Sequence, residues 1–193
     1  QYSDADGGMF FMRVGLSSQN ELDRPALDEK FAPVAKKFQM KWEIVDAAHR
    51  PRALILVSKF DHCLVDLIYR CQTNSLHMDI VGVISNHKVG QHWSENAGLP
   101  FHYRSGGADA RAENEAHLLE MIEAEDIELV ILARYMQILS PELAAQLAGR
   151  IINIHHSFLP SFKGAVPYSR AHERGVKMIG ATAHFVTPDL DEG

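Results

Sequence analysis

Ala53-Leu54-Ile55-Leu56-Val57 runs straight into Ser58-Lys59-Phe60-Asp61-His62-Cys63-Leu64, and this junction sets the architecture of the chain. The first part is an apolar run of strand length, and the second opens a helical stretch over 61–73. Moving outward, the same change repeats. Residues 78–85 read as a strand, 91–97 as a short helix, 100–103 as a short extended piece, 112–125 as a helix and 129–133 as a buried strand. A helix follows over 141–147, with Ser140 as its N-cap and Pro141 in its first turn, then a strand over 151–154. Residues 168–174 form the last predicted helix and 178–186 a further buried strand. Such alternation predicts an α/β domain with a doubly wound parallel sheet.

Upstream the pattern differs. Met9-Phe10-Phe11-Met12-Arg13-Val14 favours a strand, Leu27, Phe31, Val34, Ala35 and Phe38 recur at helical spacing, and 40–45 alternates as a strand would. His49-Arg50-Pro51-Arg52 carries a charge cluster around a proline that disfavours regular structure. The sequence therefore divides into a small α+β piece over 1–47, a linker over 48–52 and a larger α/β domain over 53–193.

The chain has 193 residues, 46% hydrophobic and 23% charged, enough for one substantial core. A net charge of -6 argues against a nucleic-acid binder, whose phosphate contacts need a basic surface. No apolar run approaches a membrane span, and Gln1-Tyr2-Ser3-Asp4-Ala5-Asp6 has neither the basic start nor the hydrophobic stretch of an export signal. Cys63 and Cys71 lack metal-type spacing and suit a reduced cytoplasmic setting. The eleven histidines are scattered, and the adjacent pair His155 and His156 would face opposite sides of a strand, so no metal is assigned.

The residues with chemistry lie near the end. Asn153-Ile154-His155-His156-Ser157-Phe158-Leu159-Pro160 and His184-Phe185-Val186-Thr187-Pro188-Asp189-Leu190-Asp191-Glu192-Gly193 place an amide, an imidazole and a carboxylate at or just beyond strand ends. That is the edge where open α/β sheets bind ligands. An amide can donate to a developing oxyanion, an imidazole exchanges protons near neutral pH, and a carboxylate orients the imidazole or a water. Together they suit acyl or formyl transfer. Leu132-Ala133-Arg134-Tyr135-Met136-Gln137-Ile138-Leu139 leaves a strand with aromatic, thioether and aliphatic groups against which a planar ring could lie. His184 reads as a buried structural histidine, Gly106-Gly107 as a mobile loop, and 160–165 as a loop that closes over the site.

The pattern N-I-H-x-S-x-L-P-x-[FY]-x-G followed by H-F-V-T-x-x-L-D-x-G resembles the signature of the folate-dependent formyltransferase superfamily. Val57-Ser58-Lys59-Phe60-Asp61-His62-Cys63-Leu64, Leu132 to Leu139 and His155-His156-Ser157 are most similar to its hydrolytic branch, the formyltetrahydrofolate deformylases. The resemblance implies a Rossmann-like formyltransferase fold, Asn153, His155 and Asp191 as the catalytic triad, and a folate site at Arg134, Tyr135, Met136, Ile138, Leu139, Val186 and Thr187. It implies hydrolysis of 10-formyltetrahydrofolate to tetrahydrofolate and formate, feeding one-carbon and purine metabolism. No redox cofactor or metal is required, because tetrahydrofolate enters as part of the substrate.

The piece over 1–47 resembles the last part of an ACT module, which in that branch precedes the catalytic domain. The likeness implies an amino-acid effector for an intact module, and the uncovered sheet edge and incomplete core of a half module favour disorder or dimerisation, hence the expected homo-oligomer. The missing first half of the module and the stop just after Asp191 suggest a fragment. Formyl transfer to an amine, and an inactive folate- or amino-acid-binding protein, are the alternatives. In the resembling purine transformylases a glycine-rich loop follows the first strand and can hold a substrate phosphate. Here 58–63 contains no glycine, and Phe60 and Asp61 suit a phosphate poorly. Lys59 and His62 leave some room for an anion, yet water is the expected acceptor.

Overall fold

The structure, a computed structural model, describes residues 2–3, 10–18, 22–157, 159 and 167–192. The chain divides into two compact units, Gln1–Ala47 and Ala48–Gly193.

In the first unit a short antiparallel pair joins β1 (Tyr2–Ser3) to β2 (Phe10–Phe11), and α1 (Arg24–Lys37) follows with Asp23 as its N-cap. Two expectations change here. Residues 12–14 and 40–45 are not strands among the described residues, although their patterns suit one. Val14 and Val45 are exposed, so neither stretch buries the apolar face that would repay the cost of ordering a strand. The ACT-like arrangement is not shown by these elements.

The second unit is a six-stranded sheet in the order β5-β4-β3-β6-β7-β8. Its strands are β3 (Arg52–Val57), β4 (Asp79–Ser85), β5 (Phe101–Tyr103), β6 (Leu129–Ala133), β7 (Ile151–His155) and β8 (Thr182–Phe185). The helices are α2 (His62–Gln72), α3 (Gln91–Asn96), α4 (Arg111–Ala124), α5 (Pro141–Gln146) and α6 (Pro167–Glu173). Alternate residues of the central strands feed separate apolar clusters, which is why their sequences read as unbroken hydrophobic runs. Leu54, Leu56, Val130, Leu132 and Ile151 pack with Leu118 and Ile122 of α4 and Leu143 of α5. Ala53, Ile55, Val57, Ile131 and Ala133 pack with Leu64 and Ile68 of α2. Ser140 caps α5 as the sequence predicts, its Oγ accepting from Leu143 N at 3.2 Å.

The sheet is mostly parallel, but β8 pairs with β7 antiparallel. The predicted strand over 178–186 shortens to four residues because Met178 and Ile179 are largely exposed. The basic cluster before β3 is fastened to the domain: His49 meets Glu128 at 2.7 Å, Arg50 meets Asp79 at 2.7 Å, and Arg52 begins β3 while pairing with Glu125 at 3.0 Å. No helix among the described residues is long and apolar enough to cross a membrane.

Strand order runs outward from β3 through β4 on one side and from β6 through β7 on the other. The β3–β6 boundary is therefore a topological switch point, and the ligand-binding crevice of such sheets opens at the carboxyl ends of those strands.

Candidate active site

β7 carries Asn153 within the strand and His155 as its last residue, two positions apart and so on one face. The antiparallel register sets Asn153 opposite His184, with Asn153 Nδ2 3.2 Å from His184 Nε2. His184 Nδ1 lies 3.0 Å from the carbonyl oxygen of Phe185, which can only accept. The ring proton is therefore on Nδ1, and Nε2 accepts from the Asn153 amide. One N–H of that amide is fixed by His184, and the second can serve a ligand. His184 is thus more than a structural histidine: it orients Asn153.

Beyond β8 the chain turns back and brings Asp191 to the end of β7. Asp191 Oδ1 lies 3.4 Å from His155 Nδ1, an ion-pair distance, and the two side chains are only 6% and 7% exposed. Asp191 adopts φ 58°, a left-handed conformation that aspartate tolerates better than most residues. The loop after β7 is clasped to β8 by Thr182, whose Oγ donates to Ser157 O at 2.7 Å and accepts from Leu159 N at 3.0 Å. His156 packs against the rings of His155 and Tyr168, at 5.5 Å and 5.6 Å between centroids. Burial, helped by the nearby Arg134 charge, holds the His156 imidazole below its usual range.

Ile84, Leu56, Leu132 and Asn153 are register partners in one row across β4, β3, β6 and β7. The Ile84 and Leu56 end of that row opens into a cavity of about 280 Å³, completed by α4 and the segment after β6. Tyr135, Met136, Ile138 and Leu139 of the expected folate set line it, and burial raises the Tyr135 hydroxyl above its usual range. Asn153 stands two strand spacings, about 10 Å, along the row from Leu56. Asn153, His155 and Asp191 are therefore beside the cavity and are not among its lining residues.

Three members of the expected folate set lie elsewhere. Val186 N donates to Ile151 O at 2.9 Å and Thr187 Oγ donates to Asp189 O at 2.9 Å, so both build the turn that carries Asp191. Arg134 points at Phe60, with Cζ 5.2 Å from the ring centroid. The sequence reading also missed contributors. Gly107, in the expected loop, lines the cavity and its N–H donates to Gln137 Oε1 at 3.0 Å. A Cβ on Gly106 would lie 2.7 Å from Asn86 Nδ2, so a larger residue there would displace the Asn86 amide. Arg111 is the one cation among the lining residues, and Glu115 accepts from Ser140 N and Oγ at 2.7 Å and 2.6 Å. The expected closing loop over 160–165 lies outside the described residues.

Residues 51–193 match the formyl transferase family model. The chain is 48% identical to the formyltetrahydrofolate deformylase of Corynebacterium sp. (strain P-1), covering all of this chain and 68% of that protein. It is 49% identical to the Bacillus subtilis (strain 168) enzyme of the same name, with 100% and 65% covered. It also superposes on the crystal structure of a formyltetrahydrofolate deformylase from Pseudomonas putida KT2440 with a TM-score of 0.83 at 44% identity, covering 100% of this chain and 69% of that one. The chain thus spans about two thirds of the length of these relatives. With its sheet order, its β7–β8 site and this likeness in sequence and fold, the chain belongs to the formyl transferase family, and the three relatives just described are formyltetrahydrofolate deformylases.

Proposed function

We propose that the protein hydrolyses 10-formyltetrahydrofolate, releasing tetrahydrofolate and formate. The observation that carries this reading is the buried His155–Asp191 pair beside Asn153, at one end of a register row whose other end opens into an apolar cavity. The folate lies along that row, with its aromatic part against Tyr135, Met136, Ile138 and Leu139. Its anionic glutamyl tail is directed toward Arg111.

The free N–H of Asn153 donates to the formyl oxygen and strengthens its bond as negative charge develops there. Asp191 orients the attacking water and the His155 ring. The water oxygen bonds to the formyl carbon as His155 takes one of its protons, the carbon–nitrogen bond breaks, and His155 passes that proton to the departing folate nitrogen. The second water proton leaves with the ionisation of formic acid. These steps use side chains alone, without a metal or a redox cofactor. Transfer to a phosphorylated amine is disfavoured by the segment after β3, where Asp61 Oδ2 already accepts from Trp93 Nε1 at 3.0 Å.

The test is incubation of the complete protein with the formylated folate and no added amine. Stoichiometric formate and tetrahydrofolate are expected. A requirement for an amine, with the formyl group recovered on it, would replace this reading with a transferase.

A further inference from the structure

The switch-point crevice between β3 and β6 is occupied. Ser58, buried at the end of β3, accepts from Met136 N at 2.9 Å and so draws the segment after β6 onto the segment after β3. Arg134, the first residue beyond β6, extends over the Phe60 ring. A bulky residue with φ 63° is an outlier, since the left-handed region is the preserve of glycine and short polar residues. Arg134 Nε is fully buried and has no hydrogen-bond partner among the described residues. Its charge reaches Cys63 at the start of α2 and His156 just after the catalytic imidazole. The guanidinium therefore stands on the α2 side of the sheet, across β6 from the cavity, between the β3 loop and the end of β7.

Resting on the hydrolase reading above, the geometry implies a direction of attack. The folate nitrogen leaves toward the cavity and the formyl oxygen is held by Asn153, so the nucleophile arrives on the side bounded by His156, Arg134 and Phe60. We infer that Arg134 stacked on Phe60 is the specificity wall of the enzyme, filling the acceptor side of the formyl site so that water reaches the carbon and a primary amine does not. If an amine did enter, its nitrogen would bond to the formyl carbon as the folate carbon–nitrogen bond broke. The ammonium proton would then pass to the folate nitrogen, giving a formamide and tetrahydrofolate with no net change of oxidation state.

The test compares the complete wild-type protein with Arg134→Gly, Phe60→Ala and the double variant, supplying 10-formyltetrahydrofolate and glycinamide and measuring formate against formylglycinamide. Glycine relieves the left-handed backbone at 134, and Phe60 is half exposed, so the single variants remain foldable. The formamide share should rise by about tenfold or more in the double variant, the scale on which pocket shape discriminates, and by less in each single one. Wild-type formate release with an unchanged product ratio in every variant would overturn the wall while leaving the hydrolase reading intact. Absence of wild-type formate release without amine would overturn the hydrolase reading itself.

Discussion

Asp191 Oδ1 sits 3.4 Å from His155 Nδ1 with both side chains almost fully shielded from water. An uncompensated charge in such a place is costly, so the pair works as a unit. Asp191→Asn keeps the size and tolerates φ 58°, while removing the charge. Formate release should fall by about two to four powers of ten with the melting transition little changed. Near-normal turnover would take Asp191 out of the mechanism.

Asn153→Ala removes the donor to the oxyanion and should lower kcat by about two to three powers of ten, leaving KM nearly constant. Because His184 Nε2 accepts from that amide, His184→Leu should lower kcat by about tenfold, the effect of ~1.4 kcal/mol on the barrier. Gln at 184 offers an acceptor again and should recover part of the loss. Equal rates for Leu and Gln variants would show that the contact does not position Asn153.

Arg111 lines the cavity as its one cation. Arg111→Ala should raise KM for the folate with kcat unchanged, the mark of a uniform binding contact. A tenfold drop in kcat at constant KM would contradict this placement.

Burial lowers both His117 and His156, in each case reinforced by a nearby arginine, Arg104 or Arg134. A histidine whose folded pKa lies below its unfolded value, about 6.5, binds fewer protons when folded. Its stabilising contribution is complete above that value and is lost as pH falls through it toward the folded pKa. The urea midpoint should therefore drop as pH is lowered from 7.5 to 5.5. His117 Nε2 is buried without a partner among the described residues, so His117→Leu should narrow the drop. An acid response as steep as wild type in that variant would assign it to other groups.

Ser58 is 1% exposed, and Ser58→Ala strands the Met136 N–H it receives. A loss of about 1–3 kcal/mol in unfolding free energy is expected. No change in denaturant midpoint would mean that the N–H finds another acceptor.

The α/β plan was legible because the central strands are buried on both faces, so the junction at Val57 and Ser58 and the repeats after it carried an unmistakable pattern. Ser140 before Pro141 likewise announced a helix start that needs no tertiary context. What escaped the sequence depends on partners. The strand over 178–186 looked continuous because Met178 and Ile179 are apolar, yet both are largely exposed and pairing begins only at Thr182. His184 could be matched to Asn153 only once the register of β7 on β8 was known. Gly107, Arg111 and Gln137 come together across separate segments, and nothing local ties them to one another. The left-handed backbones of Arg134 and Asp191 are invisible in composition.

The cavity is built from residues that end at Leu139, whereas the carboxylate proposed to orient the water is Asp191, 191 − 139 = 52 positions later. At a ribosomal pace of roughly 5–20 residues per second, the last cavity-lining residue is made roughly 3–10 seconds before that carboxylate. Vectorial synthesis therefore sets the residues of recognition ahead of the carboxylate of the chemistry.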